Sequence, residues 1–169
     1  MNVFVFIGLA VLVVLFLSRN RKKKSSQSLS VHVDSRHVYM ASFVPALLED
    51  YKVFSSSYLS RYASQYKKSE RFVKFTEQDL LPGVDIDRAI WVYNHCERLA
   101  VARYNNLSAI SNAEKADASA VALTVSRACP GCSHVPKNKT YKIGTNIPIY
   151  PCADCQEDKP CDIWYKAVF

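Results

Sequence analysis

The chain has 169 residues, of which 49% are hydrophobic, 22 are Lys or Arg and 15 are Asp or Glu, giving a formal net charge of +7. Only four residues are glycine, and the apolar share is ordinary, so a collagen-like chain and bulk disorder are excluded. This length suits one domain with a real hydrophobic core. The positive charge suggests nucleic-acid binding, provided that it is spread over the folded body.

The first segment of the chain is an apolar run from Val3 to Leu17 that no strongly polar residue interrupts. With its flanking residues it covers 1–18, which as a helix would span about 27 Å, enough for a thin bilayer. A cleaved signal peptide is the alternative, but the positive charges follow the apolar run instead of preceding it. We therefore predict a single uncleaved transmembrane anchor (a signal-anchor) over residues 1–18.

A basic cluster follows the predicted anchor directly. Its residues are Arg19, Arg21, Lys22, Lys23 and Lys24. By the positive-inside rule they predict a cytosolic body, and they suit the headgroups of anionic lipids. A lumenal, extracellular or virion-surface body is the alternative.

Taking residues 1–24 away leaves 17 basic against 15 acidic residues, a net charge of only +2. Nucleic-acid binding through general electrostatics is therefore disfavoured. A membrane and a protein are the expected partners.

After a polybasic and polar tether at 19–37, residues 38–104 are predicted to be mainly helical. Phe54, Tyr58, Tyr62 and Tyr66 recur every four residues, so they share one face of a helix. We interpret them as a core-facing stripe. An aromatic and basic face for lipid or nucleic acid is the alternative.

The second half of the chain alternates between predicted helix, linker and strand. An apolar face recurs along a helix that begins at Asp85, formed by Ala89, Val92, Tyr93, Cys96, Leu99 and Ala100. Residues 105–120 are small and polar, which predicts a linker. Residues 120–126 predict a buried strand, and residues 141–150 a weaker one that Gly144 and Pro148 interrupt.

The cysteines form the most specific pattern in the chain. Cys129 and Cys132 are separated by two residues, as are Cys152 and Cys155, and 19 residues lie between the pairs. This spacing predicts a zinc ribbon in the Cys-rich region 121–169, with these four thiolates as ligands. The alternative is a disulfide framework, since the six cysteines can form three bridges in an oxidising compartment. In that compartment the sequons at Asn106 and Asn138 would also matter.

The string HCERLAV, from His95 to Val101, precedes the predicted strand and the Cys129–Cys132 pair. This arrangement resembles the zinc-dependent cytidine and nucleic-acid deaminase superfamily over about residues 86–135. The resemblance implies zinc bound by His95, Cys129 and Cys132, with Glu97 as the general acid/base that activates a zinc-bound water. It requires a helix that begins at Asn94. On a continuous helix from Asp85, His95 and Glu97 instead lie about 200° apart.

These observations predict an α+β fold with an N-terminal single transmembrane helix, a mainly helical middle and a small Cys-rich α+β C-terminal region. The expected function is that of a membrane-anchored interaction or structural protein, of the kind found in virion envelopes, whose C-terminal module zinc or disulfides hold together. The alternative is a membrane-tethered, zinc-dependent deaminase-like hydrolase that acts on a nucleobase, nucleoside or nucleic acid.

Overall fold

Three helices precede three strands in the computed structural model, which describes residues 35–67, 73–155 and 161–169. The helices are α1 (Arg36–Asp50), α2 (Ser56–Lys67) and α3 (Ile86–Lys115). The strands are β1 (Ala120–Arg127), β2 (Thr140–Lys142) and β3 (Asp162–Val168). Short 3₁₀ turns lie at Glu77–Asp79 and Pro130–Cys132, and an isolated antiparallel bridge joins Phe54 and Leu80.

The core of the helical part is built on the predicted aromatic stripe. Phe54, Tyr58, Tyr62 and Tyr66 are all buried, and the Phe54 and Tyr58 rings stack with centroids 4.7 Å apart. Helix α1 packs against α2 and α3 through apolar residues at helical spacing, which are Met40, Ala41, Val44, Leu47 and Leu48. The core-facing interpretation of the stripe is confirmed.

Helix α3 is continuous over 30 residues. It begins after Asp85, whose side chain accepts a hydrogen bond from the Asp87 backbone N–H and so caps the first turn. The predicted apolar face is buried, although Tyr93 is only half-buried. The predicted linker at 105–120 is wrong as far as Lys115. Ala, Leu, Glu and Lys side chains support helix there, and the segment buries Asn106 and Ile110.

The strands form an antiparallel sheet of order β2–β1–β3. The predicted strand at 120–126 is confirmed as β1, which pairs with both neighbours. The weaker strand predicted at 141–150 is reduced to β2, since Gly144 turns the chain at a φ of 83°. Strand β3 was not predicted. In the register of β1 with β3, Leu123 lies opposite Tyr165, and both side chains are buried.

The predicted fold class is wrong, because the chain has a mixed helix/strand fold in which helices and cysteine-rich segments share one core. Helix α3 packs against β3 and β1, so the C-terminal end is not a separate region. The ranges that the structure describes contain no helix long and apolar enough to cross a membrane. The anchor predicted at 1–18 and the basic cluster from Arg19 to Lys24 lie outside those ranges.

Candidate metal centre

The first cysteine pair lies in a tight turn just beyond β1. Residues Pro130–Cys132 form one 3₁₀ turn, and the Cys132 backbone N–H donates to the Cys129 carbonyl at 2.9 Å. Pro130 suits the first position of this turn, where its missing N–H has no partner to lose. The turn brings the side chains of Cys129 and Cys132 together.

The second cysteine pair is held near the first by side chains of α3. Arg103 Nη1 donates to the Ile149 carbonyl at 3.0 Å and also contacts the Pro151 carbonyl. Asn106 Nδ2 donates to the carbonyls of Tyr150 and Ile163, at 2.8 and 2.6 Å. These bonds fix the segment before Cys152 and the start of β3 on the same side of the helix.

A third segment supplies Cys161, which lies directly before β3. The sulfurs of Cys129, Cys132 and Cys161 all lie within 4.8 Å of one another, and the three residues are buried. Thiolates at this spacing can act as metal ligands. A buried three-cysteine cluster that can hold a metal ion is therefore present.

Two further sulfurs adjoin this cluster. Cys155 Sγ lies 3.8 Å from Cys129 Sγ and 3.9 Å from Cys161 Sγ, whereas Cys152 Sγ lies 3.2 Å from Cys132 Sγ. The structure describes all six cysteines of the chain and places no disulfide among them. Each of these three distances is well beyond the S–S bond of about 2.05 Å that a disulfide requires.

The polar surroundings of the sulfurs affect their pKa values in opposite directions. Burial raises the pKa of Cys129, but hydrogen bonds from Cys161 and from the Cys132 backbone outweigh it and lower the pKa overall. Burial also raises the pKa of Cys132. A hydrogen bond with the Cys152 backbone offsets only part of that effect, so the pKa of Cys132 is raised overall. The Cys129 backbone N–H donates to Cys161 Sγ at 3.0 Å, the kind of bond that stabilises a bound thiolate.

Of the residues predicted for the zinc ribbon, the structure brings all four together, which are Cys129, Cys132, Cys152 and Cys155. It also adds Cys161, which sequence reasoning missed. The spacing of Cys161 from Cys155 matches no motif, so the sequence carried no usable signal for it. The sixth cysteine, Cys96, is buried in α3 outside the cluster, and burial raises its pKa to about 12.

The deaminase resemblance requires His95 beside Cys129 and Cys132, and the described residues do not form that group. The group of potential metal ligands found among them consists of Cys129, Cys132 and Cys161, and His95 is not a member of it. His95 is 2% exposed, stacks on Trp91 with ring centroids 5.1 Å apart, and meets Tyr51 edge-on. The helix begins at Ile86 and not at Asn94. The resemblance stays a prediction that this geometry does not support.

Glu97 faces the tyrosine stripe instead. Tyr62 Oη donates to Glu97 Oε1, and burial raises the pKa of the Glu97 carboxyl. A cavity of about 830 Å³ beside it is lined by Arg36, His37 and Arg98 as well as by Cys161 and Asp162. This lining contains side chains of both signs of charge.

Comparison with known proteins identifies no relative: no family model, no curated protein and no solved structure matches this chain.

Proposed function

We propose that this chain is an interaction or structural protein whose C-terminal segments are held together by one zinc ion. The ligands are Cys129, Cys132, Cys155 and Cys161. The observation that carries the proposal is the position of the Cys155 sulfur beside two sulfurs of the buried three-cysteine cluster. In a tetrahedral site with Zn–S bonds of about 2.3 Å, neighbouring sulfurs lie about 3.8 Å apart. The Cys155 sulfur lies at this distance from two members of the buried cluster.

Burial favours these four ligands over a set that includes Cys152. Cys129, Cys132, Cys155 and Cys161 are all buried, whereas Cys152 is only half-buried. Soft thiolate ligands in a closed tetrahedral set select Zn²⁺ over harder divalent ions. Zinc is therefore the metal that the donor set fits best.

The closed ligand set favours a structural role over a catalytic one. Catalytic zinc keeps a position open for water or substrate, whereas four thiolates fill the tetrahedron. The zinc would join the end of β1, the segment that carries Cys155 and the start of β3. Its contribution is to the stability of the sheet.

An exposed apolar surface supports the interaction part of the proposal. Trp164 and Val168 lie on the outward face of β3, four residues apart, and Phe169 follows with 83% of its surface exposed. These exposed apolar side chains at the end of one strand are the part of the described surface that we assign to contact with another protein.

Metal analysis of the full-length chain, purified under reducing conditions, tests the proposed site. We expect one zinc per chain, and after exchange for Co²⁺ the absorption of a tetrahedral cobalt–thiolate centre. Cys129→Ser, Cys155→Ser and Cys161→Ser should each lose the metal, while the matched control Cys96→Ala keeps it. A wild type that contains no metal and takes up none would overturn the proposal.

A further inference from the structure

The cysteine cluster contains one thiol more than a tetrahedral ion can bind. Five sulfurs, those of Cys129, Cys132, Cys152, Cys155 and Cys161, are linked by contacts of 3.9 Å or less or by membership of the buried group. A zinc ion takes four of them. The fifth thiol therefore lies beside a metal ligand without a bond to the metal.

Cys152 is the fifth thiol. It is the only half-buried cysteine of the five, and its sulfur lies 3.2 Å from that of Cys132. Cys132 is completely buried. An accessible thiol in contact with a buried one is the arrangement in which the first reacts with an oxidant and the second resolves the product.

We propose that Cys132 and Cys152 form a peroxide-sensitive pair whose oxidation to a disulfide releases the zinc. This inference rests on the proposed zinc site. It assigns a modification site and a redox control of the fold to two thiols that lie side by side.

The chemistry balances with hydrogen peroxide as the oxidant. The Cys152 thiolate attacks one peroxide oxygen, so that an S–O bond forms, the O–O bond breaks and hydroxide leaves. The Cys132 thiolate then attacks the Cys152 sulfur, so that the S–S bond forms and a second hydroxide leaves. The two thiolates lose two electrons, which the peroxide takes up, and zinc remains Zn²⁺.

Zinc release follows from the loss of one ligand. Once Cys132 is part of a disulfide, only Cys129, Cys155 and Cys161 remain on the ion. The sulfur of a disulfide is not a thiolate and is a poor ligand. A dithiol reductant supplied with zinc should restore the original site.

Titration of the zinc-loaded full-length chain with hydrogen peroxide tests the inference. The released zinc is followed with a chromogenic chelator, and the disulfide is located by mass spectrometry of peptides. We expect one Cys132–Cys152 disulfide for each zinc released. Cys152→Ser should bind zinc normally and release it at least about ten times more slowly, because the thiol that reacts first is missing. Cys96→Ala should behave as the wild type.

Three results would overturn the inference: a disulfide between any other pair, release from Cys152→Ser at the wild-type rate, or loss of zinc binding in Cys152→Ser, which would make Cys152 a ligand. A wild type that binds no zinc would instead defeat the proposed function. In that case the disulfide formed on peroxide treatment still tests the pair. A Cys132–Cys152 disulfide would support it, and any other disulfide, or none, would refute it.

Discussion

Asn106 links α3 to the segments that carry the cysteines, through a single buried side chain. It is 3% exposed, and its amide donates to two carbonyls, those of Tyr150 and Ile163. We expect Asn106→Ala to lower the free energy of unfolding by about 2 kcal/mol or more, because both buried carbonyls lose their donor. Urea unfolding followed by circular dichroism measures the loss.

Asn112 on the same helix provides the control for Asn106. Its side chain is exposed, so Asn112→Ala should change the unfolding free energy by no more than about 0.5 kcal/mol. Equal losses in the two variants would contradict the role given to Asn106.

The burial of Asn106 also bears on the sequon at this position, since an amide engaged in two internal bonds is not accessible for glycosylation in the folded chain.

Glu97 makes the free energy of unfolding depend on pH, and the direction of its pKa shift gives the sign of that dependence. Burial raises the pKa of its carboxyl, and the hydrogen bond from Tyr62 and the charge of Arg36 offset only part of that effect. Below the ordinary Glu pKa of about 4.3 the carboxyl is protonated in both states and burial carries no charge penalty. As the pH rises through the folded-state pKa, the folded chain loses stability, because the unfolded chain binds fewer protons.

Glu97→Gln should therefore remove part of the decline in unfolding free energy that sets in as the pH rises above the ordinary Glu pKa of about 4.3. The quantity to compare is the difference between variant and wild type in urea unfolding across this rise in pH. Both chains keep their cysteines, so acid release of a metal cancels in the comparison. Glu49→Gln, at an exposed position, is the control and should follow the wild type. An unchanged decline in Glu97→Gln would refute the assignment.

Along strand β3, buried side chains that face the core alternate with exposed side chains. Ile163 and Tyr165 are buried, while Trp164 between them is 37% exposed. We expect Tyr165→Ala to cost about 3–5 kcal/mol of unfolding free energy, because the ring packs opposite Leu123 and its hydroxyl donates to the Pro148 carbonyl. Trp164→Ala should cost less than about 1 kcal/mol.

Thermal and urea unfolding of the two variants measure this contrast on neighbouring residues of one strand. Because both substitutions remove a large aromatic ring, intrinsic strand preference affects them in the same direction. The difference therefore reports burial. If Trp164→Ala proved the more damaging, the register of β3 against β1 would have to shift by one residue.

The elements that could be predicted are those whose signal is local. The apolar spacing of α3 and the run of β1 are periodic patterns, and both are found in the structure. Strand β3 was missed although Ile163 and Tyr165 alternate with polar or exposed neighbours. Trp164 between them is itself apolar, so the strict alternation of apolar and polar residues that marks a half-buried strand is broken in the sequence. The continuation of α3 to Lys115 was missed because Asn106 resembles a linker residue until its distant partners are known.

The candidate site was predictable to the same extent. The two Cys-x-x-Cys pairs can be recognised from their spacing, because a tight turn between the two cysteines of a pair lets both sulfurs bind one ion. Cys161 joins them only through the pairing of β3 with β1, which is a long-range contact and has no local pattern. The deaminase resemblance likewise rested on a local string, whereas His95 faces the aromatic rings of Trp91 and Tyr51.

At the scale of the whole molecule, the proposed zinc should couple metal concentration to folding. The ligands come from three segments that meet only in the folded chain, so the unfolded chain lacks the site. A ligand that binds only the folded state stabilises it by RT ln(1 + [L]/Kd), which is about 1.4 kcal/mol for each tenfold rise in free ligand above Kd. We expect the unfolding free energy of the wild type to rise with this slope against the logarithm of free zinc.

Urea unfolding in metal buffers that set the free zinc concentration tests this coupling. A strong chelator should bring the wild type down to the stability of Cys129→Ser, and that variant should not respond to zinc at all. Cys96→Ala, which keeps every proposed ligand, should show the wild-type slope whatever its absolute stability. A wild-type midpoint that does not move with free zinc would mean that the cluster holds the sheet together through packing of its thiols alone. The sulfur spacing would then reflect close contact between buried side chains and not the geometry of an ion.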